Sequence, residues 1–224
     1  MKLAARLLAI AVFALPALAS AATPQVGVEQ KLRRGLFVET DLGTYFDVGG
    51  GTVSNAQAYM QLGVGYDITE RFTLSLQFGL GASSGVCLAQ VANDGTCGIT
   101  DASGNIASTN DPVTGVPTKE VLPDNFSNTF YQLNFSYRQP LAERLGVVLG
   151  VVGGYQNLDP APLFENNDPN GSPIKGGFMF GADVSLEYAT NMDHFFVGLD
   201  AVPRFVVGPN LFSVAIFPRV KYTF

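Results

Sequence analysis

Few residues in this 224-residue chain are able to do chemistry. It has one histidine, His194, and two cysteines, Cys87 and Cys97. His194 adjoins the turn Ala189-Thr-Asn-Met-Asp193, where a histidine reads as a solvated or interfacial residue rather than a base held against a substrate. Two cysteines without further Cys or a nearby His make a poor zinc site. Asn166-Asn-Asp-Pro-Asn-Gly171 is rich in oxygen, yet it lacks the spaced acidic ligands and terminal Glu of a calcium loop. Gly35, Gly43, Gly63 and Gly65 form no phosphate cradle; they fit close strand approach. Asp183 and Glu187 are spaced to share acid–base work, but cations of the same parity make a structural network the better reading. That network has Glu39, Asp41, Asp183, Glu187 and Asp200 opposing Arg71, Arg138, Arg204, Arg219 and Lys221. With no catalytic set, cofactor motif or metal site to assemble, the chain reads as non-enzymatic.

Each of these charges alternates with apolar residues, and that alternation leads back to the elements. From Leu211 to Phe224 one face holds Phe212, Val214, Ile216, Pro218, Val220 and Tyr222. The other holds Ser213, Ala215, Phe217, Arg219, Lys221 and Thr223. A period of two with faces of opposite character is a strand between two different environments. Seven earlier stretches obey the same rule, about Gly35–Phe46, Ala56–Tyr66, Arg71–Gly81, Phe126–Arg138, Arg144–Gln156, Gly176–Tyr188 and His194–Val207. The alternation weakens in the fifth, where Val148 and Val152 join glycines on the inward set. Pro203 and Pro218 each remove a ladder donor, so bulges or loosened pairing are expected beside them.

Composition narrows the solvent. Charged residues are 14%, against about 25% in a typical soluble domain. The longest apolar run after the first twenty residues, Leu145–Gly154, is too short for the ~20 residues of a spanning helix. A large soluble core or a membrane barrel remains. The net charge of −6 argues against nucleic acid as a partner. Lys2 and Arg6, the apolar run Leu7–Leu18 and the small residues Ala19-Ser20-Ala21 read as a signal peptide over 1–21. Residues 22–34 read as a polar lead-in and 35–224 as the fold. An exported chain allows the one possible intramolecular disulfide, Cys87–Cys97.

A final strand ending on aromatic Phe224, after seven others of the same pattern, resembles the small eight-stranded outer-membrane proteins of the OmpA transmembrane type. The resemblance implies an all-β, antiparallel, up-and-down barrel in the Gram-negative outer membrane. It also implies an assembly signal in Val220, Tyr222 and Phe224. Connections after the second, fourth and sixth strands are short, as turns facing the periplasm are. Those after the first, third and fifth are longer, as exterior loops are, and only the last is brief, at Gly208-Pro-Asn210. Tyr66, Phe72, Tyr137, Tyr188, Phe195, Tyr222 and Phe224 fall at one end of the outward faces, and Phe46, Tyr155, Phe178 and Phe212 at the other. Two such girdles match two membrane–water interfaces. The charges then point into a bore that eight strands leave only just filled. Closure makes the first and last strands neighbours, setting Glu39 and Asp41 beside Arg219 and Lys221. Gly35-Leu-Phe-Val-Glu-Thr-Asp-Leu-Gly43 and Leu62-Gly-Val-Gly-Tyr-Asp67 also look like outer-membrane proteins of the myxobacterial adventurous gliding-motility machinery. That resemblance implies a component of a cell-envelope motility complex. The expected partners are outer-membrane lipid and other envelope or motility-complex proteins, met by the exterior loops Ala82–Asn125 and Asn157–Lys175 or by the periplasmic side. The expected role is structural or adhesive, with a narrow pore for small solutes as the alternative.

Overall fold

The computed structural model describes residues 35–49, 52–53, 57–83, 87–88, 90–110, 117–119, 121–122, 125–162, 172–192 and 194–224. The expected signal peptide, the lead-in and the oxygen-rich stretch 166–171 lie outside these residues. Eight long strands form the fold: β1 Leu36–Gly49, β2 Gln57–Asp67, β3 Phe72–Ser83, β4 Phe126–Pro140, β5 Leu145–Asp159, β6 Gly176–Ala189, β7 Phe195–Val206 and β8 Leu211–Thr223. Each pairs antiparallel with its sequence neighbour, and β8 pairs with β1, so the sheet closes. The described residues contain no helix.

Closure follows from register. Stepping sideways from Val38 leads through Val64, Leu76, Leu133, Gly153, Phe180, Phe205 and Phe212, and returns to β1 at Val48. The return is ten residues farther along β1. With strands about 4.8 Å apart and a rise of about 3.3 Å per residue, a stagger of that size over eight strands tilts them by roughly 41°. Every residue on that path belongs to the outward set, so parity is kept around the whole circumference.

Burial alternates accordingly. In β2, Gln57, Tyr59 and Gln61 are buried while Ala58, Met60, Leu62 and Val64 are exposed. In β8, Leu211, Ser213, Ala215, Phe217, Arg219, Lys221 and Thr223 are buried. Val148 and Val152 in β5 are buried inside the bore, so its weaker alternation still resolves into the same two faces. Large apolar side chains are thus exposed outside and polar ones enclosed, the reverse of a soluble strand. Several strands run two or three residues past their predicted ends at the long connections. There the outward residues Ser127, Thr129, Asn157 and Asp159 are polar, while the inward Asp47, Asn128 and Leu158 stay buried. This end of the wall rises beyond the apolar band.

The two prolines loosen the ladder without shifting register. Pairing of β6 with β7 stops at Gly181↔Arg204 and resumes at Val184↔Ala201, skipping Pro203. Pairing of β1 with β8 stops at Asp41↔Arg219 and resumes at Thr44↔Ile216, skipping Pro218. Between the two prolines' own strands the ladder is continuous. Each ring therefore breaks the pairing on one side of its strand only. The one brief loop-end connection, between β7 and β8, is a tight turn with Gly208 at φ 103° and Asn210 at φ 52°. Both are residue types that tolerate positive φ.

Candidate functional site

The bore is built in layers. At the end with short turns, Lys221 Nζ lies 2.8 Å from Asp67 Oδ1 and 3.9 Å from the centre of the Phe37 ring. Arg138 Nε lies 2.8 Å from Glu187 Oε1. A shallow cleft opens here, walled by Thr69, Thr73, Ser136, Arg138, Glu187 and Lys221. Deeper in, Arg219 stands among Glu187 and Asp200, each at 3.4 Å, and Glu39 at 3.9 Å, and donates to Ser185 Oγ at 3.1 Å. Amides bridge the remaining carboxylates. Gln77 donates to Glu39 at 2.7 Å, Gln61 to Asp41 at 2.7 Å and Asn134 to Asp183 at 2.6 Å. Gln132 joins Gln77 at 2.5 Å.

Above this layer Arg204, fully enclosed, lies over the rings of Tyr59 and Phe130 and donates to the Tyr59 hydroxyl at 2.9 Å. Tyr59 in turn hydrogen-bonds Gln61. Tyr45, Tyr59, Phe130 and Phe217 pack ring against ring at 5.2–6.0 Å and fill the section. A last polar layer links Asp47, Gln57, Asn128, Gln156 and Tyr45.

The loop end is covered by the long connection after β3. Cys87 and Cys97 form a disulfide within it. Cys97–Gly98 is the centre of a small sheet: it pairs with Gln90–Val91, Gly98 bridges Val121, and Leu122 N donates to Cys97 O at 3.0 Å. Thr100 bridges Ile106 in a second small hairpin, and the two hairpin tips are stitched by Asn93 N to Gly104 O at 2.9 Å and Asn93 Nδ2 to Ser103 O at 3.0 Å. Composition alone excludes this stretch from the core. In the fold, Leu88, Cys97, Ile99 and Leu122 join one buried cluster with Phe126, Phe130, Leu158, Val206 and Leu211 of the barrel. Leu88, Ile99 and Leu122, sparse apolar residues of a polar loop, turn the same way and close the mouth, while Val91 and Val121 stay exposed. Asn93, Asp94, Asp101, Ser103 and Asn105 stay exposed on its far side.

The structure places the expected charges as follows. Glu39, Asp41, Asp183, Glu187, Asp200, Arg204, Arg219 and Lys221 are buried in the bore, and Arg138 is nearly so. Arg71 is outside it, exposed at the turn end, with Nη1 donating to the Tyr137 hydroxyl at 3.3 Å. The register sets Glu39 opposite Lys221 and Asp41 opposite Arg219. Of these four, Glu39 and Arg219 come within ion-pair distance of each other, at 3.9 Å; Lys221 reaches past β1 to Asp67, and Arg219 also meets Asp200 on the adjacent β7 and Glu187 on β6. Asp47 and Asp67 join the inward set, Asp47 because β1 continues two residues past Asp47 with unchanged parity. The five carboxylates and five cations expected to face each other in the bore are thereby corrected, with Arg71 lost and Asp47 and Asp67 gained. Seven inward carboxylates (Glu39, Asp41, Asp47, Asp67, Asp183, Glu187 and Asp200) meet four cations (Arg138, Arg204, Arg219 and Lys221). Val220, Tyr222 and Phe224 lie on the outer wall at the turn end, with the Tyr222 ring against Phe195, Phe224 and His194. His194 Nδ1 lies 2.7 Å from the Thr223 carbonyl.

No family model and no curated protein matches the chain. Solved structures do resemble it. Neisserial surface protein A aligns over 85% of this chain and 97% of its own, at 11% identity and a TM-score of 0.54. OprG of Pseudomonas aeruginosa aligns over 86% and 98%, at 10% identity and 0.46. Ail, the attachment invasion locus protein of Yersinia pestis, aligns over 85% and 99%, at 10% identity and 0.44. The first likeness is one of fold, and with the closed register and the inverted burial it gives an eight-stranded antiparallel barrel of the outer-membrane kind.

Proposed function

We propose that this chain is a Gram-negative outer-membrane barrel, directed there by residues 1–21, whose loop end is its working face. It acts as a structural or adhesive component and catalyses nothing. The observation that carries this reading is the capped mouth. A disulfide-tied loop uses one side to fill the barrel opening and presents polar hairpin tips on the other. A loop spent only on linking two strands needs neither the buried side nor the stitched tips. The apolar outer wall supports the membrane placement. The outward sets of all eight strands expose Leu, Val, Ile and Phe, a surface suited to hydrocarbon.

The layered bore favours this over the pore alternative, since aromatic rings and buried ion pairs between non-adjacent strands occupy its section. A place in an envelope complex, including a gliding-motility complex, has the two strand phrases Gly35–Gly43 and Leu62–Asp67 in its support. Photo-crosslinkers at Asn93 and Ser103 test the working face. On intact cells they are expected to capture a surface partner that crosslinkers at Glu143 do not. Steady single-channel openings of defined size in a planar bilayer would overturn the filled-bore reading in favour of a pore.

A further inference from the structure

Arg71 is the one residue of the expected charge network that leaves the bore, and its surroundings are ordered. Arg71 N and Phe72 N both donate to Thr69 Oγ1, at 3.2 and 3.1 Å, and the Arg71 carbonyl accepts from Arg138 N at 2.7 Å. The side chain is held by the Tyr137 hydroxyl, which itself donates to Gln139 Oε1 at 3.0 Å. Among the described residues the ion pairs engage Arg138, Arg219 and Lys221, so no carboxylate neutralises Arg71. Directly along the outer wall from it, Phe72 stacks on Phe135 at 5.7 Å and meets Tyr137 at 5.3 Å. Phe72, Leu74 and Phe135 are all exposed.

We propose that Arg71, Tyr137 and the Phe72–Phe135 wall bind one glycerophospholipid of the periplasmic leaflet, phosphate on the guanidinium and acyl chain along the rings. A guanidinium has five donors in a planar fork that matches phosphate oxygens, and only one is engaged by Tyr137. Tyr137 fixes the fork beforehand, which lowers the ordering cost of binding. A free anion would use the cation alone. The exposed aromatic wall beside it calls for hydrocarbon in the same ligand, and the turn end is where the phospholipid leaflet meets the barrel. This inference rests on the membrane placement proposed above.

The test uses the full chain folded in detergent micelles and native mass spectrometry with three probes: dioleoyl phosphatidylglycerol, dioleoylglycerol and inorganic phosphate. The folded chain is expected to retain one phosphatidylglycerol and neither of the others. Arg71→Gln should weaken that retention roughly ten-fold, the loss of one charge-assisted contact. Tyr137→Phe should weaken it less, and Arg144→Gln, at another turn, not at all. Equal retention by the parent chain and Arg71→Gln, or equal binding of inorganic phosphate, overturns the site. A chain that shows no heat-dependent gel shift in any lipid refutes the membrane barrel itself, a separate failure from a folded chain indifferent to Arg71.

Discussion

Glu187 lies between two guanidiniums, and removing its charge alone measures what the bore network is worth. Its carboxylate is 2.8 Å from Arg138 and 3.4 Å from Arg219, with side-chain exposures of 5%, 16% and 7%. Opposite charges about 4 Å apart in an effective dielectric of about 20 attract by roughly 4 kcal/mol. Taking one partner from a buried pair typically costs about 3–5 kcal/mol, because the other charge stays behind. Gln at this position keeps the shape and one carbonyl oxygen. Arg219 retains Asp200 and Glu39, which puts Glu187→Gln at the lower end, about 3 kcal/mol of lost stability. Asp41→Asn is the matched contrast. Asp41 is fully buried, and among the described residues its Oδ1 has no partner and no cation lies within ion-pair distance. Asn keeps the shape and preserves the oxygen that accepts from Gln61. The change should therefore be near zero or stabilising by about 1 kcal/mol. Equilibrium urea unfolding in phosphatidylcholine vesicles, read as the fraction of heat-modifiable band, gives both numbers. If Asp41→Asn destabilises more than Glu187→Gln, the account of a bore held by its few buried cations is wrong.

Three further substitutions probe the rest of the fold. Cys87→Ser with Cys97→Ser should loosen the cap by about 2–3 kcal/mol, from loop-closure entropy; faster proteolysis between Gln90 and Ile106 with an unchanged gel shift is expected, and loss of the shift would make the bridge essential to the barrel. Leu76→Arg places a charge on the outer wall and should cost about 2–4 kcal/mol of vesicle-folded stability; no cost would deny that this face meets hydrocarbon. Gly63→Val would put Cβ 2.5 Å from Glu39 Oε1, forcing Glu39 off Gln77 at about 1–3 kcal/mol. Unfolding free energy unaltered by that valine would deny the close approach.

The amino-acid order by itself determined the two faces of every strand, the number of strands and the alternation of long and short connections. Those are local properties. A hydrocarbon solvent outside and a narrow bore inside impose the same period of two on each strand, so Phe72 to Leu80 declare their sides without reference to any other segment. The partners inside the bore needed the tertiary structure, because they depend on the register between neighbouring strands and on closure of the last strand onto the first. Arg219 meets its diagonal neighbours Asp200 and Glu39 and also Glu187, two strands away, because a long side chain reaches past the residue directly opposite it and past the adjacent strand. Arg71 shows where parity stops deciding: past the last residue of a strand a flexible side chain can go around the rim, and Tyr137 draws it outward. The cap follows the same logic in reverse. Leu88, Ile99 and Leu122 are scattered through a polar stretch with no period, and only the disulfide and the small sheet turn them together onto the mouth of the barrel.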